Sequence, residues 1–175
     1  QPLLGEFFYA KNLALMLRWF TIWGNVAACA IMARIALGGQ VPASIMAALA
    51  TALTVIASVY WALLSGDHHP VGYDRITNQF HHTIVPLATI LWWWCYTPKA
   101  AAIRPLIPVI MAPPLTYGAF ALVLGQLTGF YGYFFTDLPA LGWPMFLVNN
   151  VVLAVFFALL GAGLVALKHR FGGQL

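Results

Sequence analysis

Four polar residues, Thr21, Asn25, His82 and Asn149, lie at matching depth in segments that are otherwise apolar. A histidine with a hydroxyl nearby is costly in hydrocarbon, and an ionisable side chain inside a membrane marks a functional site by default. The chemistry open to such a pair is nucleophilic: the imidazole takes the hydroxyl proton while the oxygen attacks an acyl carbon. An imidazole with an ordinary pKa of about 6.5 suits proton transfer at neutral pH. Asn25 or Asn149 could then donate to the oxyanion. No carboxylate lies within the apolar segments to orient the ring, so a full Ser-His-Asp arrangement is not supported, and Asn78, one turn before His82, is the nearest local substitute.

Each of these residues also has a purely structural reading. A threonine in a membrane helix bonds the carbonyl four residues back, and an asparagine ties helices together. A buried histidine satisfied by one hydrogen bond is the reading preferred for His81. Pro86 bears on His82, because proline cannot donate to the carbonyl four residues back, and the helix is expected to open there.

The elements that must position these groups are read from composition and spacing. With 62% hydrophobic and 7% charged residues, the chain lacks the charged quarter of a soluble domain. Five apolar runs, 13–37, 43–65, 80–96, 106–127 and 143–167, are each near the length that crosses a bilayer. The chain is therefore expected to be one integral membrane domain over residues 1–175, an all-α polytopic transmembrane bundle with five helices. Breaks at Gly38, Gly39 and Pro42, at 66–72, at Pro98 and Pro105, and at 129–139 separate the runs.

Threading the runs alternately places Arg34, Lys99, Arg104, Lys168 and Arg170 at one end with no acid. Lys11, Arg18 and Arg75 share the other end with Glu6, Asp67, Asp74 and Asp137. The positive-inside rule makes the first end cytoplasmic. An odd helix number starting outside leads to the expectation of a further helix before residue 1, six in the full gene product. The net charge of +4 is thus a topology signal, carried by Lys168, His169 and Arg170 past the last run, and not a nucleic-acid surface. Cys29 and Cys95 lie inside apolar runs without CxxC spacing and read as small buried hydrophobes. Asp67, His68, His69, Asp74, His81 and His82 are ligand types for a divalent metal, but a polar interfacial loop is the preferred reading. A b-type haem would need facing histidines at one depth, and His169 lies at the opposite end. No metal and no cofactor are expected.

Three blocks carry a family resemblance: Arg-Trp-Phe-Thr-x-x-Gly-Asn at 18–25, His-Thr-Ile-Val-Pro at 82–86 and Gly-x-Leu-Thr-Gly-Phe-Tyr-x-Tyr-x-Phe-x-Asp at 125–137, with Asn149 in a fourth. In this order and spacing the chain resembles a bacterial family of six-helix membrane proteins, often labelled Pr-six-Pr. That family is similar in turn to the androgen-induced and androgen-dependent TFPI-regulating membrane proteins of animals, threonine hydrolases of fatty acid esters of hydroxy fatty acids. Carried over by motif, the resemblance implies Thr21 as nucleophile and His82 as its partner. Leu124 stands where the bacterial family often has arginine, and Gly132 and Phe134 where it often has prolines, so a differently shaped outer loop is expected.

The sequence reading is therefore an inner-membrane hydrolase of lipid fatty-acyl esters, open to the outer leaflet, with membrane lipids and a lipid ester as its partners. The alternative is a non-catalytic accessory subunit of a larger membrane complex, docking through aromatic stretches such as residues 91–94. A transporter is disfavoured by spans without carboxylates. Reporter fusions test the orientation: a fusion after Arg170 should report a cytoplasmic C-terminus and one within 129–139 an external loop, and the reverse pattern would contradict the charge reading.

Overall fold

The computed structural model of the chain describes residues 12, 14–99 and 102–172; Glu6 and Lys11, used above to orient the bundle, lie outside them. Helix α1 spans Phe20–Ala36. Helix α2, Ala43–Val59, runs on through a π-helical turn at Tyr60–Leu64, and α3, Tyr73–Gln79, passes through a second π turn, Phe80–Ile84, into α4, Val85–Tyr96. Helix α5 spans Ile103–Thr128, a 3-10 turn forms at Phe134–Thr136, and α6 spans Leu138–Phe171. No strand is present among the described residues. Three helices, Ala43–Leu64, Ile103–Thr128 and Leu138–Phe171, are long and apolar enough to cross a membrane.

The first apolar run yields a shorter helix than its length suggests, 17 residues, because the backbone breaks at Trp19, which is extended (φ −109°, ψ 131°). Carbonyls released by such a break need donors where water is scarce. Trp23 Nε1 donates to the Leu17 carbonyl at 2.7 Å and the Tyr117 hydroxyl to that of Arg18 at 2.8 Å. At α6 the expected start at residue 143 coincides with a break at Gly142, whose φ of 67° is open to glycine at little cost. A short segment capped by Asp137, which accepts from Ala140 N at 3.2 Å, precedes it.

Helix α2 is the centre of the bundle, packed against α1, α4, α5 and α6. Its run Met46–Leu53 is buried throughout, and its alanines let neighbours approach closely, as small residues do in membrane bundles. Glycines on those neighbours continue the device: a Cβ at Gly24 would strike Ile56, and one at Gly161 would lie 2.8 Å from Ile110 Cγ2. The outer face of α6, with Val151, Val152, Val155 and Leu159, is exposed, as a lipid-facing surface would be.

Lys168 departs from the sequence reading. Instead of marking the interface it is buried, and its ammonium donates to the Trp93 and Trp94 carbonyls at the end of α4, satisfying acceptors that a helix C-terminus leaves open. Lys99 Nζ donates to the His169 carbonyl at 3.0 Å, tying the same two chain ends.

The close approach at Gly161 can be tested by thermal unfolding in detergent. Gly161→Leu should destabilise by ~1–3 kcal/mol, the usual cost of overpacking. Gly163→Ala, where a Cβ meets nothing within 4 Å, should leave the midpoint unchanged or slightly raised.

Candidate active site

The site forms where the π turn after α3 meets the start of α1. A π turn shifts the hydrogen-bond register: Val85 N–H bonds to the Phe80 carbonyl, five residues back. The next donor in that register would be residue 86, which is proline and has none. The carbonyl left open is therefore that of His81, and not that of His82 as α-helical spacing had suggested. Asn25 fills it: Nδ2 donates to the His81 carbonyl at 3.1 Å and to the Thr21 carbonyl at 2.8 Å. One amide nitrogen thus joins the backbone beneath Thr21 to the backbone beside His82.

This clamp sets the two side chains together. Thr21 Oγ1 lies 3.4 Å from His82 Nε2, a loose hydrogen bond of the kind that catalytic pairs show before substrate tightens them. On the far side of the ring, His82 Nδ1 lies 3.2 Å from the Asn78 carbonyl and 2.9 Å from Asn78 Oδ1. A carbonyl can only accept, so the ring proton sits on Nδ1 and Nε2 presents its lone pair to Thr21. Tyr60 stacks on the imidazole, with ring centroids 3.8 Å apart and planes at 13°. Its hydroxyl accepts from Asn78 Nδ2 at 2.7 Å and meets His68 Nδ1 at 3.1 Å. The bonds run in one direction: Thr21 to His82, His82 to Asn78, Asn78 to Tyr60, and Tyr60 to the exposed His68.

A cavity of about 350 Å³ adjoins Thr21, within the range of small-molecule sites. Its walls are apolar side chains of α1, α2, α5 and α6, among them Phe20, Val55, Val59, Met111, Leu122 and Phe157. Thr21, Tyr60, Tyr117, Tyr133, Thr136 and Asn150 supply the polar points. The segment 129–137 closes one end. Trp19 packs edge-on against Phe130 and Tyr133, Arg18 sits 4.9 Å from the Phe130 ring centre, and Tyr133 stacks on Phe135. Gly132, in place of the proline frequent in the resembled family, lies against the Trp19 ring.

Of the residues singled out in the sequence, Thr21, Asn25, Asn78 and His82 come together. Asn149 does not join them: its amide donates to the Phe135 carbonyl at 3.0 Å and holds the segment 129–137, while Asn150, about 100° round the helix, lines the cavity. Asn25 is brought to the pair, but with both amide hydrogens on backbone carbonyls it ties helices and does not donate to an oxyanion. His81 faces Trp19 and Ile22, on another surface. Sequence reasoning overlooked Tyr60 altogether and included Tyr133 as one position of the block 125–137, with no role of its own in the site. Among the described residues no three His, Cys, Asp or Glu side chains form a metal-ligand group. In comparisons with known proteins, no family model, no curated protein and no solved structure matches this chain.

If Asn25 is the clamp, Asn25→Leu should leave the His81 carbonyl unpaired, since that of Thr21 keeps its helical N–H partner, and destabilise by ~1–3 kcal/mol, read as a lowered unfolding midpoint in detergent. An unchanged midpoint would remove the clamp from the account.

Proposed function

We propose that this protein is an intramembrane hydrolase of fatty-acyl esters in which Thr21 is the nucleophile and His82 the general base. The observation that carries the reading is the Thr21 Oγ1 to His82 Nε2 contact at 3.4 Å, placed beside an apolar cavity and backed by Asn78. An apolar cavity with few polar points suits an acyl chain, with the ester carbonyl drawn to the polar end at Thr21.

The residues supply the steps in order. His82 Nε2 takes the Thr21 proton as Oγ1 attacks the carbonyl carbon, giving a tetrahedral intermediate. The bond to the alcohol oxygen then breaks, and His82 returns its proton to that oxygen, leaving an acyl-Thr21 ester. A water gives its proton to His82 and attacks the acyl carbon; the acid departs and Thr21 Oγ1 recovers its proton. Asn78 holds Nδ1–H throughout, so the ring keeps the tautomer the reaction needs, the part a carboxylate plays in the serine triad.

The motif resemblance to the six-helix bacterial family and its animal threonine-hydrolase relatives supports the same two residues. The arrangement of charge supports an inner-membrane location with the C-terminus cytoplasmic and the site toward the outer leaflet: Lys99 and Lys168 lie at the end of the bundle opposite to Thr21.

Labelling of purified protein by an alkyl phosphonate and hydrolysis of lipid esters test the assignment. Thr21→Val and His82→Ala should each abolish both, Thr21→Ser should retain part of the activity, and His81→Ala should be mild. The double variant should be scarcely worse than either single one, because residues acting as a unit are non-additive. Wild-type hydrolysis by Thr21→Val would overturn the proposal.

A further inference from the structure

The reaction proposed for Thr21 develops negative charge on the ester carbonyl oxygen, and an acyl-transfer site needs a donor aimed at it. The donors around Thr21 can be accounted for one at a time. Both hydrogens of Asn25 Nδ2 are on the carbonyls of Thr21 and His81. The Tyr117 hydroxyl donates to the Arg18 carbonyl. The Tyr60 hydroxyl is turned to His68, and the Asn149 amide is on the Phe135 carbonyl.

Tyr133 is left. It lines the cavity together with Thr21. Its hydroxyl lies beside the first turn of α1, close to the Phe20 and Thr21 backbone and to the hydroxyls of Thr21 and Tyr117. The N–H groups of that turn are among the donors that any helix start leaves unpaired, and no side chain of the preceding Trp19 caps them. With Tyr117 donating to the Arg18 carbonyl, the Tyr133 hydroxyl stands at the open start of α1, beside the place where Thr21 Oγ1 meets the cavity. The ring is fixed from three sides: edge-on by Trp19 with centroids 5.6 Å apart, face-on by Phe135 at 5.2 Å, and by Tyr117 at 6.3 Å. Burial pushes the Tyr133 hydroxyl pKa up, so the phenol remains protonated, and a donor, at neutral pH.

We infer that Tyr133 is a third catalytic residue, the hydrogen-bond donor to the oxyanion formed when Thr21 attacks an ester carbonyl. This rests on the hydrolase reading above. The inference explains why the outer loop is held so firmly, by Asn149 at Phe135, by Gln126 at Tyr131 and by Arg18 at Phe130: the loop delivers the donor.

The experiment compares Tyr133→Phe with Thr21→Val in the purified full-length protein, measuring ester hydrolysis, alkyl phosphonate labelling, and binding of a long-chain trifluoromethyl ketone beside an alcohol of equal chain length. Tyr133→Phe should lower kcat by about 10²- to 10³-fold with little change in KM, the usual effect of removing one oxyanion donor. It should slow labelling, and it should weaken the ketone, which forms a tetrahedral adduct, while leaving the alcohol unaffected. Wild-type kcat in Tyr133→Phe with an inactive Thr21→Val would overturn the role of Tyr133 and leave the hydrolase reading standing. Wild-type hydrolysis by Thr21→Val would overturn both. Should the phenylalanine variant fail to fold, 3,5-difluorotyrosine at position 133 keeps the shape but ionises more readily. Its alkaline limb of kcat should then move to lower pH, and an unmoved limb would count against the donor role.

Discussion

A backbone carbonyl that loses its donor in an apolar bundle must find another or cost several kcal/mol, ~2–7 on transfer scales. In this chain that constraint falls on the His81 carbonyl, through the conjunction of a π turn at Phe80–Ile84 with a proline at 86. Much of the site follows from how it is met. The donor comes from Asn25 on another helix, the same amide nitrogen also holds the Thr21 carbonyl, and so the satisfaction of one orphan group fixes α1 against the histidine-bearing turn. Two carbonyls at the break before α1 are met in the same way by Trp23 and Tyr117. Each repair is made by a side chain near Thr21, so the requirement for paired backbone groups and the assembly of the polar cluster are one design.

The fold was legible because apolar run length is a direct physical consequence of burial without water. Each of the five runs contains a helix, and the break expected before residue 143 falls at Gly142. Less was legible where helical winding departs from the α register. A proline at 86 announces a missing donor, but which carbonyl it orphans depends on whether the turn is α or π, and periodicity cannot tell those apart over five residues. Asn149 and Asn150 show the same limit on a smaller scale: both sit at the right depth, but helix phase alone decides which faces the cavity. Lys168 read as an interfacial charge because sequence does not show that two α4 carbonyls end beside it.

Tyr60 illustrates what could not be read at all. It lies in an apolar run, far in sequence from the motif blocks, and only the packing of α2 against the π turn brings its ring over His82. Through Asn78 it connects the imidazole to His68 in the loop, giving the ring a second anchor that a motif comparison would not reveal. Tyr133, by contrast, sits within a motif block, but its place beside Thr21 follows only from the way the loop folds back over the start of α1. On the proposed reading, the central and most buried helix, α2, supplies the rigid wall, α5 and α6 form the acyl cavity with it, and the outer loop closes the polar end.

The central claim is that Thr21 Oγ1 forms a covalent bond to the acyl group during turnover. Rapid acid quenching of wild-type protein mixed with a long-chain aryl ester, followed by proteolysis and mass spectrometry, measures this directly. The account predicts an acyl mass increment on the peptide carrying Thr21, localised to that residue and absent in Thr21→Val. Ester turnover with the increment on a different side chain, or with none at any quench time while Thr21→Val turns over equally fast, would contradict it.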